Sequence, residues 1–284
     1  MITVSIVMIT YNHQDYIKQA IEGVLMQDTN FNIELIISND CSTDGTSDCV
    51  KNIKNTHPKG HLITYFDQKK NMGMMSNFIF ALKQCQGSYV AICDGDDYWT
   101  DPLKLQKQVG FLEKNTNVNI CFHRAQILSN NTLKSHDILK PFIKKPFNYI
   151  ELLKQNNFIV TASVMFRKPK NFKFPNWFNQ IPFGDMGLYK LVAQDSQIQC
   201  LDEIMCVYRV HSDGVYSGLN VLKARRNYLN FYQKIYIHLN SEEQKVVKTK
   251  IEEKYREISK LKFKKSKYRR ILYYAYLRVI NLFK

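Results

Sequence analysis

Three aspartates stand together directly after an apolar run of this chain. Residues 89–93 (YVAIC) are followed by Asp94, Asp96 and Asp97, with Gly95 between them. Carboxylate oxygens in this number suit a hard divalent cation, which proteins often share with substrate phosphates. Burying so much negative charge without a counter-ion is costly, so the cluster either faces water or holds a metal ion. A polar turn that closes a strand is the alternative, because Asp and Gly are common turn residues.

Short apolar segments alternate with helical patterns over the first hundred residues and must position this cluster. The patterns predict strands at 4–10, 33–38, 62–66 and 89–93, and helices at 15–26 and 75–84, with another helix opening at 44–46. Strands separated by helices indicate a parallel sheet covered on both faces, in which ligands bind at the carboxyl ends of the strands. Polar residues follow three of these strands, at 11–12, 39–40 and 94–97, and we expect them to converge on one crevice.

The composition is that of a globular chain whose charge is unevenly distributed. The 284 residues are 45% hydrophobic and 13% aromatic, and their net charge is +15. Residues 223–284 carry 18 Lys or Arg and 5 Glu, which gives +13, whereas the first 222 residues contribute only +2. We therefore expect a near-neutral body followed by a basic segment, and the two parts require separate explanations.

The cysteines and the apolar segments indicate a cytoplasmic protein. The seven cysteines are odd in number and none forms a C-x-x-C pair, which favours neither a disulfide framework nor a zinc site. Residues 1–7 have a strand pattern without a basic region, so we do not expect a signal peptide there. The apolar stretch at 271–283 is too short to span a membrane and contains Arg278.

Four motifs follow one another in the first hundred residues: 4–12 (VSIVMITYN), 38–46 (SNDCSTDGT), 71–77 (NMGMMSN) and 94–99 (DGDDYW). Their order and spacing resemble the bacterial family 2 glycosyltransferases, over roughly residues 2–220. The resemblance implies an α/β GT-A fold, a Rossmann-like, mostly parallel twisted sheet flanked by helices. Here a basic, helical C-terminal extension would follow. We divide the chain into a nucleotide-sugar-binding half at 1–105, an acceptor-binding half at 106–222 and the extension at 223–284.

The resemblance also implies roles for individual residues. Binding of the nucleotide-sugar would involve Thr10, Tyr11, Asn12, Asp40, Asn77, Asp94, Gly95, Asp96 and Arg209. Asp96 would be the direct ligand of Mn²⁺ or Mg²⁺, with Asp94 and His211 completing the metal site. The cation would bridge the diphosphate and offset the charge that develops on the departing nucleotide.

The resemblance further implies transfer with inversion, which needs a base that accepts the proton of the acceptor hydroxyl. Asp185 matches the acidic position of the family, although many relatives carry Glu directly before it and this chain has Gly184. Capping of a helix at 186–193 is the alternative role for Asp185. Trp99 either stacks on a sugar face or packs as an ordinary buried aromatic side chain.

The basic segment has a second, separate interpretation. From Lys260 to Arg270 seven of eleven residues are basic, and aromatic and aliphatic residues follow at 271–277. This combination predicts adsorption to an anionic membrane surface, and a solvated helical surface is the alternative. No nucleic-acid-binding motif accompanies the charge, so we expect no nucleic acid partner.

The sequence therefore predicts a metal-dependent hexosyltransferase, peripheral on the inner face of the plasma membrane. It would move a sugar, most simply from UDP-hexose or UDP-N-acetylhexosamine, to a hydroxyl of a glycan or lipid-linked glycan in the synthesis of a bacterial surface polysaccharide, lipopolysaccharide or glycoprotein glycan. A sugar nucleotidyltransferase is one alternative, but it would need a basic, Gly-rich loop where residues 10–13 stand. A non-catalytic carbohydrate- or membrane-binding protein on the same scaffold is the other.

Overall fold

A nine-stranded mixed sheet runs through the part of the chain that the computed structural model describes, residues 2–136, 142–143, 145–155, 157–215 and 217–262. Its strands are β1 Val4–Thr10, β2 Ile33–Asn39, β3 Ile63–Asp67, β4 Tyr89–Ile92, β5 Tyr98–Trp99, β6 Val118–Ser129, β7 Thr132–Ser135, β8 Met165–Arg167 and β9 Gln197–Val210. The helices are α1 Ile17–Leu25, α2 Thr46–Thr56, α3 Met74–Gln84, α4 Lys104–Lys114, α5 Tyr149–Lys154, α6 Asp185–Ala193, α7 Val221–Ile235 and α8 Ser241–Lys262. The strand order is β3-β2-β1-β4-β8-β6-β9-β5, and β7 pairs with β6.

The first four strands are parallel, as the alternation of strands and helices predicts. β1 lies between β2 and β4, and its last residue, Thr10, pairs with Asn39 at the end of β2. Asn39 in turn pairs with Asp67 at the end of β3. The carboxyl ends of these strands therefore meet at one edge of the sheet, where the polar residues that follow them come together.

Side chains of the central strands alternate between two apolar layers. In β1, Ile6 and Met8 pack with α1 and α4 on one face, whereas Val7 packs with α3 and α6 on the other. Strands that are buried on both faces consist almost entirely of apolar residues, which explains the continuous apolar runs in the sequence. The strand and helix boundaries differ from the predicted ones by one or two residues.

The second half of the sheet departs from a purely parallel arrangement. β8 is antiparallel to both β4 and β6, and β5 is antiparallel to β9. Tyr98 pairs with Val207 and Trp99 with Cys206, so the end of β9 returns beside the acidic cluster. β7, the short helix α5 and irregular segments lie between β6 and β8, so no regular alternation of strands and helices predicts the direction of β8.

The described part of the basic segment is packed against the body of the protein. Phe231, Tyr232 and Ile235 of α7 belong to one of the two apolar layers. The Lys190 ammonium lies 2.6 Å from the nearly buried carboxylate of Glu243 in α8. Helical structure thus extends through residue 262, and residues 263–284, which include most of the predicted membrane-binding stretch, lie outside the described residues. The same sheet crosses the predicted boundary at 105/106, and the division into three segments stays a prediction.

Candidate active site

A cavity of about 450 Å³ opens at the carboxyl ends of β1, β2 and β4. It brings together predicted site residues from five separate parts of the chain. The predicted residues that line it are Thr10, Tyr11, Asp40, Asn77, Asp94, Asp96 and Asp185. The other four, Asn12, Gly95, Arg209 and His211, do not line the cavity. The predicted convergence of polar strand ends on one crevice is therefore what the structure contains.

Two imidazoles approach a single carboxylate oxygen of the acidic cluster. Oδ2 of Asp96 lies 3.2 Å from Nε2 of His211 and 3.8 Å from Nε2 of His13. Within the described residues, the Nδ1 atoms of both histidines are buried and have no hydrogen-bond partner. Burial lowers the pKa of His13, although the charge of Asp96 opposes this effect. The neutral form of His13 is therefore favoured beside the carboxylate.

Asp97 and Arg209 join the acidic cluster to β9. The Asp97 carboxylate accepts a hydrogen bond of 2.9 Å from the backbone N–H of Arg209. The Arg209 guanidinium donates to the carbonyl oxygen of Asp96 at 2.5 Å and also to Gln19. This guanidinium lies over the ring of Tyr98, 4.4 Å from its centroid. Arg209 thus fixes the backbone of the cluster from behind, and contact with a diphosphate stays a prediction for it.

The acidic cluster concentrates negative charge, and among the described residues no Lys or Arg side chain forms an ion pair with Asp94, Asp96 or Asp97. Burial raises the pKa of Asp94 to about 8, and the charges of Asp96 and Asp185 add to this rise. Burial and the charge of Asp96 also raise the pKa of Asp97. A bound cation would favour the ionised form of each carboxyl, since an opposite charge at close range lowers the pKa of an acid.

A metal site would have to be completed by something other than the protein. Among the described residues, no group of three or more His, Cys, Asp or Glu side chains is arranged to hold a metal ion. Asp96 and His211 nevertheless present one oxygen and one nitrogen 3.2 Å apart, and Asp94 lies two residues away. A carboxylate with an imidazole is a suitable donor pair for Mn²⁺. The residues fit a cation that takes its other ligands from substrate phosphates and water.

Asp185 lies at the first residue of α6 with both carboxylate oxygens engaged. Its Oδ2 accepts a hydrogen bond of 2.5 Å from the Asn157 amide, and its Oδ1 accepts one of 2.7 Å from the backbone N–H of Met186. Burial raises the pKa of Asp185 to about 6, although these two hydrogen bonds lower it. A carboxylate with such a pKa is ionised near neutral pH and is a stronger base than an ordinary aspartate.

The glycine before Asp185 has a steric explanation. A Cβ atom at Gly184 would lie 2.8 Å from two ring carbons of Phe78 in α3. A side chain at this position, such as the Glu that many relatives carry, would require the Phe78 ring or one of the two helices to shift. The departure from the family pattern therefore reflects the close approach of these helices, and Asp185 keeps its place on the cavity.

Hydrogen bonds to neighbouring segments hold two of the nucleotide-site candidates, Asp40 and Asn77, in place. The Asp40 carboxylate accepts a bond of 2.6 Å from the backbone N–H of Met72, which holds the loop before α3. The Asn77 amide is bonded to Ser38 through both its oxygen and its nitrogen. Tyr11 is 44% exposed at the cavity rim. The nucleotide end of the cavity is thus held by hydrogen bonds at Asp40 and Asn77, and it is open to solvent at Tyr11.

Close packing behind the lining explains two further candidates. A Cβ atom at Gly95 would lie 2.7 Å from Oγ1 of Thr10, and that hydroxyl has no partner among the described residues. Asn12 adopts a positive φ of 54° and accepts a hydrogen bond of 2.8 Å from the backbone N–H of Thr43. Gly95 thus lets the acidic cluster approach β1, and Asn12 joins the first two motif loops.

The structure decides between the two predicted roles of Trp99, and it adds lining residues that were not predicted. Trp99 is only 2% exposed and its indole N–H donates to the Ala162 carbonyl oxygen at 2.8 Å, so it packs as a buried aromatic side chain. His13, Asn157 and Tyr228 line the cavity but were not among the predicted residues. His13 could have been found, since it directly follows the polar end of β1. Asn157 and Tyr228 follow no motif.

Comparison with known proteins gives one family and several relatives. Residues 5–172 match the family description Glycosyl transferase family 2. The chain is 35% identical over 216 residues to an uncharacterized protein of Mycobacterium tuberculosis, which covers 75% of this chain and 60% of that protein. It is 29% identical over 216 residues to the Escherichia coli UDP-Glc:alpha-D-GlcNAc-diphosphoundecaprenol beta-1,3-glucosyltransferase WfaP, covering 75% and 79% of the two chains. The chain thus spans about 60% of the length of the mycobacterial relatives.

Solved structures with a similar fold agree with this family. S. aureus TarS in complex with UDP-GlcNAc gives a TM-score of 0.65 at 17% identity, covering 90% of this chain and 72% of that one. The mannosyltransferase PcManGT of Pyrobaculum calidifontis, in complex with GDP-Man and Mn²⁺, gives 0.61 at 16% identity, covering 87% and 68%. At such identities the likeness concerns the fold alone, and the predicted GT-A fold is confirmed.

Proposed function

The chain belongs to glycosyl transferase family 2, and from this premise we propose that it transfers a hexose or N-acetylhexosamine from a UDP-sugar to a hydroxyl of a glycan or lipid-linked glycan, with inversion. The setting would be the synthesis of a bacterial surface glycan, because WfaP is named for transfer to a diphosphoundecaprenol-linked sugar. The observation that carries this proposal is the common cavity of Asp96 and Asp185. Its volume lies within the range of small-molecule and cofactor sites.

UDP is the nucleotide that we propose for the donor. The names of WfaP and of the TarS complex contain UDP-Glc and UDP-GlcNAc, whereas PcManGT was solved with GDP-Man. The Asp40 carboxylate lines the cavity and can accept the imide N–H of uracil. Tyr11, exposed at the rim, offers a ring for the base, and Thr10 offers a buried hydroxyl without a protein partner among the described residues.

We propose that Asp96, Asp94 and His211 hold Mn²⁺ or Mg²⁺ together with the diphosphate of the donor. When bound, the cation would offset the negative charge that develops on the departing nucleotide. The burial and the negative charge of the cluster support this assignment. Burial raises the pKa of Asp94 to about 8, the charges of Asp96 and Asp185 add to this rise, and a bound cation would favour the ionised carboxylates. The Arg209 guanidinium donates a hydrogen bond to the backbone carbonyl of Asp96 and so holds this proposed metal ligand beside β9.

Asp185 is proposed to accept the proton of the acceptor hydroxyl. For inversion the base has to lie across the sugar from the leaving phosphate, and Asp185 reaches the cavity from α6 rather than from the strand ends that carry the cluster. Asn157 donates a hydrogen bond of 2.5 Å to the carboxylate and so orients it. The pKa of about 6 leaves Asp185 ionised at neutral pH and ready to take the proton.

The basic segment is proposed to place the enzyme on the inner face of the plasma membrane. Each Lys or Arg near an anionic surface contributes about 1 kcal/mol, so seven between Lys260 and Arg270 suffice for peripheral binding. In the described part of the chain, no helix has the length and apolarity needed to cross a bilayer. Replacement of these seven residues by Gln should abolish sedimentation with phosphatidylserine vesicles. Unchanged sedimentation would refute the membrane assignment.

Donor screening tests the proposed function as a whole. The protein is incubated with UDP-glucose, UDP-N-acetylglucosamine or GDP-mannose, with Mn²⁺, Mg²⁺ or EDTA, and release of the nucleotide is measured. We expect release from a UDP-sugar that requires the metal and is absent in Asp94→Ala and Asp96→Ala. A preference for GDP-mannose would correct the donor. Equal activity in EDTA would reject the metal, and no release from any nucleotide-sugar with added glycan acceptors would reject the transferase.

A further inference from the structure

We propose that α7 forms the acceptor-binding wall of the cavity, where Tyr228 and Asn227 hold a pyranose ring of the acceptor beside Asp185. Both residues line the same cavity as Asp96 and Asp185. They lie outside residues 5–172, the part that matches the family description. The proposal rests on the proposed function, because it takes Asp185 to mark the position of the attacking hydroxyl.

Packing links α7 directly to the segment that carries Asp185. The ring of Phe183, two residues before Asp185, lies 5.1 Å from the ring of Tyr228 and 4.9 Å from that of Phe231, centroid to centroid. On its other side the segment is held by α3, since Gly184 touches Phe78 closely. The carboxylate of Asp185 therefore has a fixed position relative to the face of α7 that lines the cavity.

Tyr228 is also supported from behind by α8. The ammonium of Lys254 lies 5.8 Å from the centroid of the Tyr228 ring and 3.1 Å from the carboxylate of Glu257. Glu257 in turn pairs with Arg225 of α7 at 2.7 Å. The ring is thus held between two helices, and a rigid aromatic side chain binds a ligand with little loss of conformational freedom.

The chemistry of this wall suits a sugar ring better than a lipid chain. Aromatic residues Phe158, Phe183 and Tyr228 offer flat apolar surfaces, on which the C–H face of a pyranose can pack. The Asn227 amide stands among them and can bond the ring hydroxyls, whereas the Asn157 amide is already bonded to Asp185 and to the backbone N–H of Ile159. A purely apolar occupant would offer the Asn227 amide no hydrogen-bond partner, which is a cost for a polar group that loses contact with water. The nucleotide is accounted for at the opposite end, by the residues that follow β1 and β2.

Two variants of the wall test this assignment in the full-length protein. Asn227→Ala removes a partly exposed amide with little risk to the fold, and Tyr228→Ala removes the ring. Tyr236→Ala is the matched control, because Tyr236 follows α7 and packs on the same apolar layer without lining the cavity. The acceptor probes are alkyl β-glucosides and alkyl N-acetylglucosaminides. Their alkyl chains have about four to ten carbons, so that the contribution of the chain to binding can be separated from that of the sugar.

The measured quantities are the KM values for acceptor and donor, UDP affinity and hydrolysis of the UDP-sugar without acceptor. We expect the acceptor KM to rise about threefold to tenfold in both wall variants, as for the loss of one or two neutral contacts. UDP affinity and the donor KM should match the wild type in both wall variants, because the nucleotide lies at the opposite end of the cavity, and Tyr236→Ala should keep the acceptor KM of the wild type. Melting curves with and without UDP show whether each variant remains folded.

Three outcomes would overturn the inference. One is an unchanged acceptor KM in both folded variants, and another is a parallel rise of the donor KM, which would assign the wall to the donor. The third is a defect that grows with alkyl chain length at a fixed sugar, which would assign the wall to the lipid. In each case the wild type transfers sugar, so the proposed function stands. A wild type that releases no nucleotide from any donor would instead refute the proposed function.

Discussion

Nε2 of His211 lies 3.2 Å from Oδ2 of Asp96, although 115 positions separate the two residues in the chain. The contact exists because β9 runs antiparallel to β5 and returns its carboxyl end to the acidic cluster. Thr10 and Asp185 reach the same cavity from β1 and α6. One potential metal ligand, Asp96, follows β4, and the other, His211, follows β9. The site can therefore form only when both halves of the sheet are folded.

The first prediction concerns this pair. His211→Ala and Asp96→Asn should weaken Mn²⁺-dependent binding of UDP by at least about tenfold, because each removes a donor atom of the metal. Calorimetric titration of UDP in Mn²⁺ and in EDTA measures the effect. His61→Ala, at an exposed histidine that does not line the cavity, serves as the control. Equal UDP affinity of wild type and both site variants in Mn²⁺ would remove these residues from the metal site.

A second prediction separates the base from the donor site. Asp185→Asn preserves the shape of the side chain and should keep the affinity for UDP, while transfer falls by about 100-fold to 10,000-fold, the usual contribution of general base catalysis. The variant should also be more stable than the wild type at pH 7. Burial raises the pKa of Asp185 to about 6, so ionising this carboxyl at neutral pH costs folding energy that an amide does not require. Transfer at the wild-type rate would exclude Asp185 as the base.

The same pKa predicts the acid limb of activity. The rate should fall as the pH drops below about 6, because Asp185 then becomes protonated and can no longer accept a proton. Asn157→Ala removes a hydrogen bond that lowers this pKa, so the midpoint of the limb should move to higher pH. The midpoint is measured for the wild type and for Asn157→Ala from profiles of kcat/KM for the acceptor between about pH 5 and pH 8. A midpoint that does not move in Asn157→Ala would place the titration elsewhere.

The sequence predicted the nucleotide end of this site better than the acceptor end, for a physical reason. Thr10 ends one parallel strand, and Asp40 and Asp94 follow two others, so the carboxyl ends of these strands bring the three residues together. Asn157 and Tyr228 reach the cavity through long-range packing of an irregular segment and of α7, and no local pattern encodes such contacts. Their positions depend on the whole fold.

Burial of individual side chains was likewise beyond local reasoning. Trp99 looked equally suited to bind a sugar or to pack, and only the pairing of β5 with β9 decides for packing. The direction of β8 depends on contacts with β4 and β6, which are distant in the chain. Sequence periodicity identifies which faces are apolar, but it does not identify the partner that covers each face.

A fourth prediction concerns the contact between α3 and α6. Gly184→Ala should lower stability by about 1–3 kcal/mol, because the new Cβ would lie 2.8 Å from the Phe78 ring and would force the helices apart. Gly110→Ala is the matched control, since nothing lies within 4 Å of a Cβ at that position in α4. The free energy of unfolding of Gly110→Ala should rise by about 0.5–1 kcal/mol, as expected for Gly to Ala within a helix. Urea unfolding measures both, and equal stability of the two variants would contradict the proposed contact.

The last prediction concerns a buried amine that does not line the cavity. Lys104 of α4 is fully buried, donates to Gln108 at 2.7 Å, and lies 3.9 Å from the centroid of the Trp99 ring. Burial lowers its pKa to about 8. At pH 7 the folded protein therefore carries a buried ammonium ion whose hydration has been lost, and such an ion is costly without a paired carboxylate. Lys104→Met, of similar length, should be at least as stable as the wild type at pH 7.

The pH dependence of this difference gives the sharper test. Between pH 8 and the ordinary lysine pKa of about 10.4, the unfolded chain binds a proton at Lys104 that the folded protein has released, so the wild type gains stability as the pH rises through this window. Lys104→Met lacks that gain, and its advantage should shrink steadily from pH 8 to pH 10. The neighbouring thiols of Cys93, Cys121 and Cys206 stay protonated in the folded state there, because burial raises the pKa of each, and their ionisation in the unfolded chain is common to both proteins. Urea unfolding of both proteins at several pH values measures the difference, and a difference that stays constant would show that Lys104 does not titrate in this window.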